Sequence, residues 1–432
     1  MTETYDAIVV GARCAGSPTA MLLARAGYRV LLVDRATFPS DTVSTHVVHA
    51  PGVAALQGWG LLGRLEATGC PPLPTYSYDF GPFTISGSPR PVDGISRAFC
   101  PRRTVLDKLL VDAAAEAGVE VREGFAVDEV VHADGAVTGI RGHGRKDASV
   151  TESARVVIGA DGKNSVAAKA VRPDSYNETQ PLAVWYYTYW SGLPTEGIEI
   201  RVRPGRGSVA AGTNDGLTLV AAGWPIAELK ANRGDLEGAY MRTLELAPPF
   251  AERVRGARRE AKLVGTSVPG FFRKPYGPGW ALVGDAGYTK DPVTALGISD
   301  AFLDAERCAH AIGQWLSGAR PYAEAMADYQ RSRDERALPL YGLTCDLAML
   351  SPLPPEMQRL LAAVHGNQEA MDDFASMMIG ALPVPEFFAP SNVERLIAAA
   401  DGRAAATAGG DRLPRAWRGP GTRTAARGGQ SQ

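Results

Sequence analysis

The first 35 residues constrain the fold more strongly than any other stretch. Residues 7–10 form a short apolar run, which is typical of a buried parallel strand. A turn from Gly11 to Gly16 follows, and then a predicted helix over residues 17–27 and a second buried strand over residues 28–33. Asp34 stands at the end of that strand, so the sequence predicts an opening βαβ unit with a carboxylate after its second strand.

This βαβ unit predicts the binding of a dinucleotide, with a plain α/β turn as the alternative. Pyrophosphate approaches the backbone closely at a helix N-terminus, where unpaired N–H groups and the helix dipole favour negative charge. Gly11 permits the turn, Gly16 permits close helix–strand packing, and Asp34 can accept hydrogen bonds from ribose. Arg13 replaces the usual middle glycine as a phosphate or structural contact, and Arg35 completes this set of candidates.

Composition narrows the class of protein. The chain has 432 residues, enough for two or three domains, with 45% hydrophobic residues and a net charge of -2. That charge gives no field for nucleic acid or an anionic membrane, and no apolar run has the length of a membrane span. The N-terminus lacks a signal-peptide pattern. Five unclustered cysteines favour reduced thiols, a cytoplasmic location and no metal site, and we interpret Cys14 as buried filler rather than a reactive thiol.

Two later turns follow predicted buried strands: Gly-Ala-Asp-Gly-Lys-Asn-Ser over residues 159–165 and Leu-Val-Gly-Asp-Ala-Gly over residues 282–287. Together with the opening unit, and in this order, they resemble the flavoprotein monooxygenases of the p-hydroxybenzoate hydroxylase type. That superfamily also includes geranylgeranyl-reductase-like enzymes and flavin-dependent halogenases. The resemblance covers residues 1–335 and implies that the dinucleotide is FAD.

The resemblance and the texture of the chain together predict an α/β fold. We expect a discontinuous Rossmann-like FAD-binding domain over residues 1–72, 97–175 and 268–335. Aromatic-rich alternating segments predict an inserted antiparallel β-sheet substrate domain over residues 73–96 and 176–267. A C-terminal helical region is predicted over residues 336–400. The Gly/Ala/Arg-rich stretch over residues 401–432 is predicted to be a disordered, solvated tail rather than a nucleic-acid arm.

The resemblance implies four further contacts with FAD. Asp285 would meet the ribityl hydroxyls, and Asp161 would support flavin and pyridine-nucleotide binding, with a simple Asx turn as the alternative. Arg103 would reach the flavin phosphates or the ribityl chain. The alternatives are that Arg103 is only an exposed arginine in the first turn of a helix, or that its neighbour Arg102 takes this role. The backbone of Val127 would meet the adenine.

Residues 291–301 correspond to the segment beside the flavin ring in the resembled family. Pro292 would shape the wall beside the ring, and the backbone around Gly297 and Ile298, at the start of a predicted long helix, would face the ring. The segment has a compact Asp-Pro form. Hydroxylases of this type usually carry a longer glycine-rich segment with an asparagine, so this form is closer to the reductase and halogenase branches.

The candidate substrate site comprises aromatic residues and one histidine. His46 lies in the connection that passes near the flavin by resemblance, where it could bind substrate or act as a base; His49 is a weaker candidate. Loop histidines also often satisfy a local backbone group. The predicted pocket wall contains Trp185, Tyr187, Tyr189 and Trp224, and Tyr288 would border the pocket. Strand alternation lets only about half of such residues face inward, and core packing is an equal alternative.

The resemblance implies an FAD-dependent monooxygenase that takes electrons from NAD(P)H and hydroxylates a small aromatic or polyketide-like compound through a flavin C4a-hydroperoxide. Molecular oxygen and a small-molecule substrate are the expected partners; the oligomeric state and the choice of NADH or NADPH stay open. A flavin-dependent reductase of an isoprenoid or unsaturated chain is the alternative. A halogenase is less favoured because the Trp-x-Trp-x-Ile-Pro string is missing. A redox-inactive effector-binding flavoprotein is the rival from another class.

Overall fold

The computed structural model describes residues 4–145 and 148–407, with side chains described as far as residue 403. Strands within this part are β1 Tyr5–Val10, β2 Val30–Asp34, β3 Tyr76–Asp79, β4 Thr84–Gly87, β5 Glu120–Glu123, β6 Ala126–Ala133, β7 Ala136–His143, β8 Val150–Gly159, β9 Ser175–Thr179, β10 Ala183–Ser191, β11 Ile198–Arg203, β12 Arg206–Gly212, β13 Thr218–Pro225, β14 Arg258–Arg259, β15 Val264–Thr266, β16 Gly270–Arg273, β17 Tyr276–Gly277, β18 Trp280–Leu282 and β19 Tyr288–Thr289.

Helices within the described residues are α1 Gly16–Arg25, α2 Ala50–Gly58, α3 Leu62–Glu66, α4 Arg103–Glu116, α5 Val166–Val171, α6 Leu229–Asn232, α7 Leu236–Glu245, α8 Pro248–Arg255, α9 Gly297–Leu316, α10 Tyr322–Ala348, α11 Pro355–Val364, α12 Gln368–Met378, α13 Val384–Phe387 and α14 Pro390–Thr407. α2 and α3 are separate helices, because Gly60 takes a φ of 75° between them. Among the described helices, none is long and apolar enough to cross a membrane.

The first sheet carries the cofactor turns at one edge. Its strands lie in the order β17-β18-β8-β1-β2-β5, and the pairs β1–β2, β1–β8, β8–β18 and β2–β5 are parallel. Val9 lies between Leu32 and Ile158, all three fully buried. Because parallel strands end at the same edge, the turns after β1, β8 and β18 lie together at their carboxyl ends.

The second sheet is mostly antiparallel and joins segments that are distant in sequence. Its order is β14-β10-β13-β12-β11-β3-β4, and β15 pairs with β10. β3 and β4 add to it through a parallel pairing of β3 with β11. β9 instead joins β16 and β19 in a small third sheet. The predicted α/β class, with an antiparallel sheet and a C-terminal helical region, is confirmed, while the exact division into domains stays a prediction.

The last described helix changes one expectation. α14 runs to Thr407, so residues 401–407, which were predicted to be disordered, are helical. The remainder of that predicted tail lies outside the described residues.

Candidate active site

The turn after β1 fits a close approach by phosphate. Gly11 takes a φ of 103°, and a Cβ there would lie 2.6 Å from the carbonyl oxygen of Ala160. A Cβ on Gly16 would lie 1.7 Å from the Gly11 oxygen. Both positions therefore need glycine, and the turn leads directly into the N-terminus of α1, where backbone N–H groups favour an anion.

Asp34 stands at the end of β2 and faces the same turn. Its Oδ2 accepts the Ala12 N–H at 2.7 Å, and its Oδ1 accepts the Ala36 N–H at 2.8 Å. Each carboxylate oxygen has a second lone pair, so the side chain can still accept hydrogen bonds from ribose hydroxyls. Arg35 is exposed, and Val127 is half-buried in β6.

A buried carboxylate organises the two candidate arginines. Asp107 on α4 is fully buried and accepts Arg103 Nε at 3.0 Å and Nη2 at 2.8 Å. Arg13 pairs with the same carboxylate and donates to Ser40 Oγ at 3.1 Å, which makes its contacts structural. Burial raises the pKa of the neighbouring Cys14 thiol, as expected for buried filler. The sequence interpretation missed Asp107, although its i, i+4 spacing from Arg103 was a usable signal.

The other two turns bring their carboxylates to the same edge of the first sheet. Asp161 accepts the Val166 N–H through Oδ2 at 2.6 Å, while its buried Oδ1 has no hydrogen-bond partner among the described residues. The Asp285 side chain is exposed, but protein surrounds it closely enough to desolvate its carboxyl. This desolvation raises the pKa of Asp285 to about 6, and the Arg103 guanidinium opposes the rise. Asp285 therefore lies in a cleft.

The flavin-ring segment forms a tight turn before α9. Pro292–Thr294 is one 3-10 turn, and Ala295 follows with a φ of 53°. Asp291 holds this turn, because its Oδ1 accepts the Val293 N–H at 3.0 Å and its Oδ2 accepts the Ala183 N–H of β10 at 3.3 Å. Burial raises the pKa of Asp291 to about 6.

The start of α9 leaves space for a flavin ring beside Gly297. Gly297 is exposed with open space around its Cα, whereas Ile298 is buried behind it. Pro292 is half-buried. The glycine cradle, the unpartnered Asp161 oxygen, the solvated Asp285 and the open Gly297 together fit a dinucleotide with a flavin at α9.

His46 lies fully buried at a φ of 64°, against the second sheet. Its Nδ1 lies 2.7 Å from the Ser44 carbonyl oxygen, so Nδ1 carries the proton, and its Nε2 accepts the Tyr189 O–H at 2.9 Å. Burial lowers the pKa of His46 to about 4, so the imidazole is neutral at pH 7. The Tyr187 ring meets it edge-on at 5.2 Å, and the Arg102 guanidinium lies 5.2 Å from the Tyr189 ring.

His49 fastens the flavin-ring turn to the second sheet. Its Nε2 donates to the Thr294 carbonyl at 3.2 Å, its Nδ1 accepts the Tyr76 O–H at 2.8 Å, and its backbone N–H donates to Ser299 Oγ at 3.0 Å. Burial lowers the pKa of His49 to about 4. These contacts give it a structural place rather than a substrate-facing one.

The predicted pocket wall needs correction at Trp224. It pairs with Val184 in the register of β10 and β13, so it lies on the opposite face from Trp185 and Tyr187. Trp224 is fully buried. Its ring stacks on the Tyr186 ring at a centroid distance of 5.4 Å, in the hydrophobic cluster that also contains residues of α7 and α8. Including it with the inward-facing aromatics was therefore wrong, since alternation alone did not give the strand phase.

Trp185 and Tyr288 are also separated from His46. Trp185 packs with Ala183 and Leu350 near the flavin-ring turn. Tyr288 stacks on Phe272 at 4.8 Å in a cluster that also contains Tyr341. Of the five predicted aromatics, the structure thus brings Tyr187 and Tyr189 against His46.

An ion network at α9 was also missed. Lys290 pairs with Asp300 at 2.5 Å, and Arg336 of α10 pairs with Asp300 at 2.5 Å and with Asp304 at 2.9 Å. Beside it lies a cavity of about 230 Å³, bounded by Leu296 and by apolar residues of α9, α10 and α13. The residues of this network come from two helices and from the chain just before the flavin-ring turn, so no local sequence pattern predicts that they meet. None of the described residues forms a cluster suited to a metal ion.

Comparison with known proteins agrees with this geometry. Residues 4–191 match the family model described as FAD binding domain. Protein FixC of Salmonella typhimurium is 31% identical over 187 residues, 42% of each chain, so the chain spans less than half of that relative. Digeranylgeranylglycerophospholipid reductase 1 of Methanopyrus kandleri is 28% identical over 316 residues, 69% of this chain and 78% of the relative.

The whole architecture also matches a solved structure. The flavin-dependent brominase Bmp2 superposes with a TM-score of 0.77 at 17% identity, over 93% of this chain and 100% of the brominase. The likeness at this identity establishes the fold. Residues 4–191 thus contain an FAD-binding domain. The rest of the chain is similar in fold to flavoproteins, and the predicted binding of FAD is confirmed.

Proposed function

We propose that the protein is an NAD(P)H-dependent FAD monooxygenase that hydroxylates a small aromatic or polyketide-like compound. The observation that carries the proposal is the Tyr189–His46 pair beside Tyr187, on one face of β10. Arg103 relates this pair to the candidate FAD contacts, because its charge acts both on His46 and on Asp285.

Residues of the three strand-end turns would hold FAD. The turn from Gly11 to Gly16 would cradle the pyrophosphate, Asp34 the ribose, and Asp285 the ribityl hydroxyls. Bound FAD supplies the redox chemistry, in which electrons from NAD(P)H activate oxygen. The N-terminus of α9 at Gly297 would favour negative charge on the reduced ring.

The chain's own residues orient a hydroxylated substrate. His46 keeps its proton on Nδ1, and its Nε2 accepts a hydrogen bond from the Tyr189 hydroxyl. The Tyr189 oxygen is then left to accept a hydrogen bond from a substrate hydroxyl. The Tyr187 ring offers an aromatic edge to a planar compound, and the buried setting limits water around the reacting carbon.

A reductase of an isoprenoid or unsaturated chain is the second candidate. It is favoured by the 28% identity to the Methanopyrus kandleri reductase over 78% of that protein, and by the compact Asp-Pro segment at Asp291. A phenol-bearing face with a neutral histidine suits a polar aromatic better than an apolar chain. Halogenation is less supported, because the shared fold with the brominase carries no chemistry by itself.

One experiment tests the proposal. The purified protein should be yellow, with a flavin band near ~450 nm that NADPH or NADH bleaches and air restores. Oxygen consumption should rise with members of a phenol and polyketide panel, and the product should be heavier by one oxygen atom. Saturation of an added prenyl substrate without oxygen uptake would favour the reductase, and a colourless protein that takes up no FAD would refute both.

A further inference from the structure

A buried charge network lies at the start of α9. Lys290 and Arg336 face Asp300 at 2.5 Å each, and Arg336 also reaches Asp304 at 2.9 Å. The side chains of Lys290, Asp300 and Asp304 are 5%, 7% and 0% exposed. The network therefore holds two cations and two carboxylates in a setting where charge is poorly screened.

Three parts of the chain meet in this network. Lys290 lies between β19 and the flavin-ring segment, Asp300 and Asp304 lie in the first two turns of α9, and Arg336 belongs to α10. Burial alone would raise the pKa of Asp300, yet Lys290 and Arg336 together hold it well below its ordinary value. Asp300 is thus a fixed anion within one turn of the helix N-terminus.

The charges of the network also act on a carboxylate of the cofactor cleft. Asp285, which lies in the cleft, feels the charges of both Asp300 and Lys290. Other charged groups facing the network are Arg307 and Arg333, which act on Asp304. His49, buried next to it, stays neutral, since burial lowers its pKa to about 4.

We propose that Lys290 is a positioning residue that neutralises Asp300 at the start of α9 and so sets the charge balance felt by a reduced, anionic flavin. This inference rests on FAD binding at α9. A helix N-terminus with an uncompensated carboxylate near it would favour an anion less. Lys290 removes that opposition, and Arg336 cannot do so alone because it is shared with Asp304.

The test uses two variants of opposite charge. Lys290→Met leaves Asp300 under-compensated, whereas Asp300→Asn leaves Lys290 and Arg336 in excess. Sulfite binds oxidised flavin as an anionic adduct, so its affinity reports how well the site holds negative charge. We expect sulfite affinity to fall about tenfold in Lys290→Met and to rise about tenfold in Asp300→Asn, the order of shift that one uncompensated, poorly screened unit charge near the site produces.

Matched controls separate charge from structural damage. The double variant Lys290→Met/Asp300→Asn should return near the wild-type affinity, and Lys274→Met, which removes an exposed lysine, should change nothing. FAD dissociation constants and thermal unfolding of each variant are measured alongside. If both single variants shift sulfite affinity in the same direction, or neither shifts it, the proposal is wrong.

The outcome is independent of the reaction assigned above. Sulfite titration needs bound FAD but neither NAD(P)H nor an aromatic substrate. Opposite shifts together with no substrate-stimulated oxygen uptake would support the role of Lys290 and refute the monooxygenase. A wild-type protein that binds no FAD would overturn both.

Discussion

Removal of the Asp107 carboxylate should be one of the most damaging single changes near the cofactor cleft. The side chain is fully buried and serves Arg103 at 3.0 and 2.8 Å as well as Arg13. Asp107→Ala leaves Arg103, which is 8% exposed, as a buried cation without its main partner. Breaking a buried pair in this way costs about 3–5 kcal/mol. Arg13 is one quarter exposed and can be hydrated again, so we expect about 3 kcal/mol.

The assay is urea unfolding of the purified chain without added FAD, followed by fluorescence. Asp112→Ala on the same helix is the matched control, because its pair with Lys108 is about 40% exposed on both sides. Exposed pairs of this kind contribute about 0.5 kcal/mol or less. Asp107→Asn, which keeps the shape, should lie between the two. An Asp107→Ala protein as stable as Asp112→Ala would show that the buried pair does not support the fold.

Three further predictions concern single substitutions in the candidate site. Gly11→Ala should weaken FAD binding at least about 100-fold, because its φ of 103° and close backbone contact exclude a Cβ, whereas Gly58→Ala, with open space, should retain the colour. Asp285→Asn should raise the unfolding temperature of the FAD-free protein by about 2 °C near pH 7.5, and the gain should vanish towards about pH 4. Its sign follows because a raised carboxyl pKa of about 6 makes the charged form costly above that pH. Tyr189→Phe should raise the KM for a phenolic substrate about three- to tenfold, while Tyr186→Phe on the opposite face should not; equal effects would refute the assigned face.

The cofactor turns could be predicted from the sequence because each is local. Gly11, Gly16 and Asp34 lie within one βαβ unit, and the strand that precedes each Asp-containing turn is recognisable by its apolar run. Their proximity then follows from the parallel strands β1, β8 and β18, which end at the same edge of the sheet. Local patterns plus one topological rule were thus enough for a dinucleotide site, and the resemblance of the three turns to a flavoprotein family implied FAD.

The substrate side could not be predicted in the same way. Trp224 and Trp185 both looked like wall residues, but the face of each depends on the β10–β13 register, and β11 and β12 lie between these two strands in the sequence. The i, i+4 spacing of Asp107 from Arg103 was a local signal, whereas its second partner, Arg13, lies 94 positions away. Lys290, Asp300 and Arg336 meet only when α10 packs on α9.

The same contrast explains why the cofactor is better determined than the reaction. FAD would be held mainly by backbone and by a few carboxylates at the ends of the strands, so its signature survives in the sequence. In the proposed function the reaction depends on the second sheet, which contributes Tyr187 and Tyr189 on β10. Proteins of one fold can keep a cofactor site while changing the chemistry through the residues around it. In this chain the Tyr189–His46 pair would make that choice, because the Tyr189 oxygen that donates to His46 can still accept a hydrogen bond from a substrate hydroxyl.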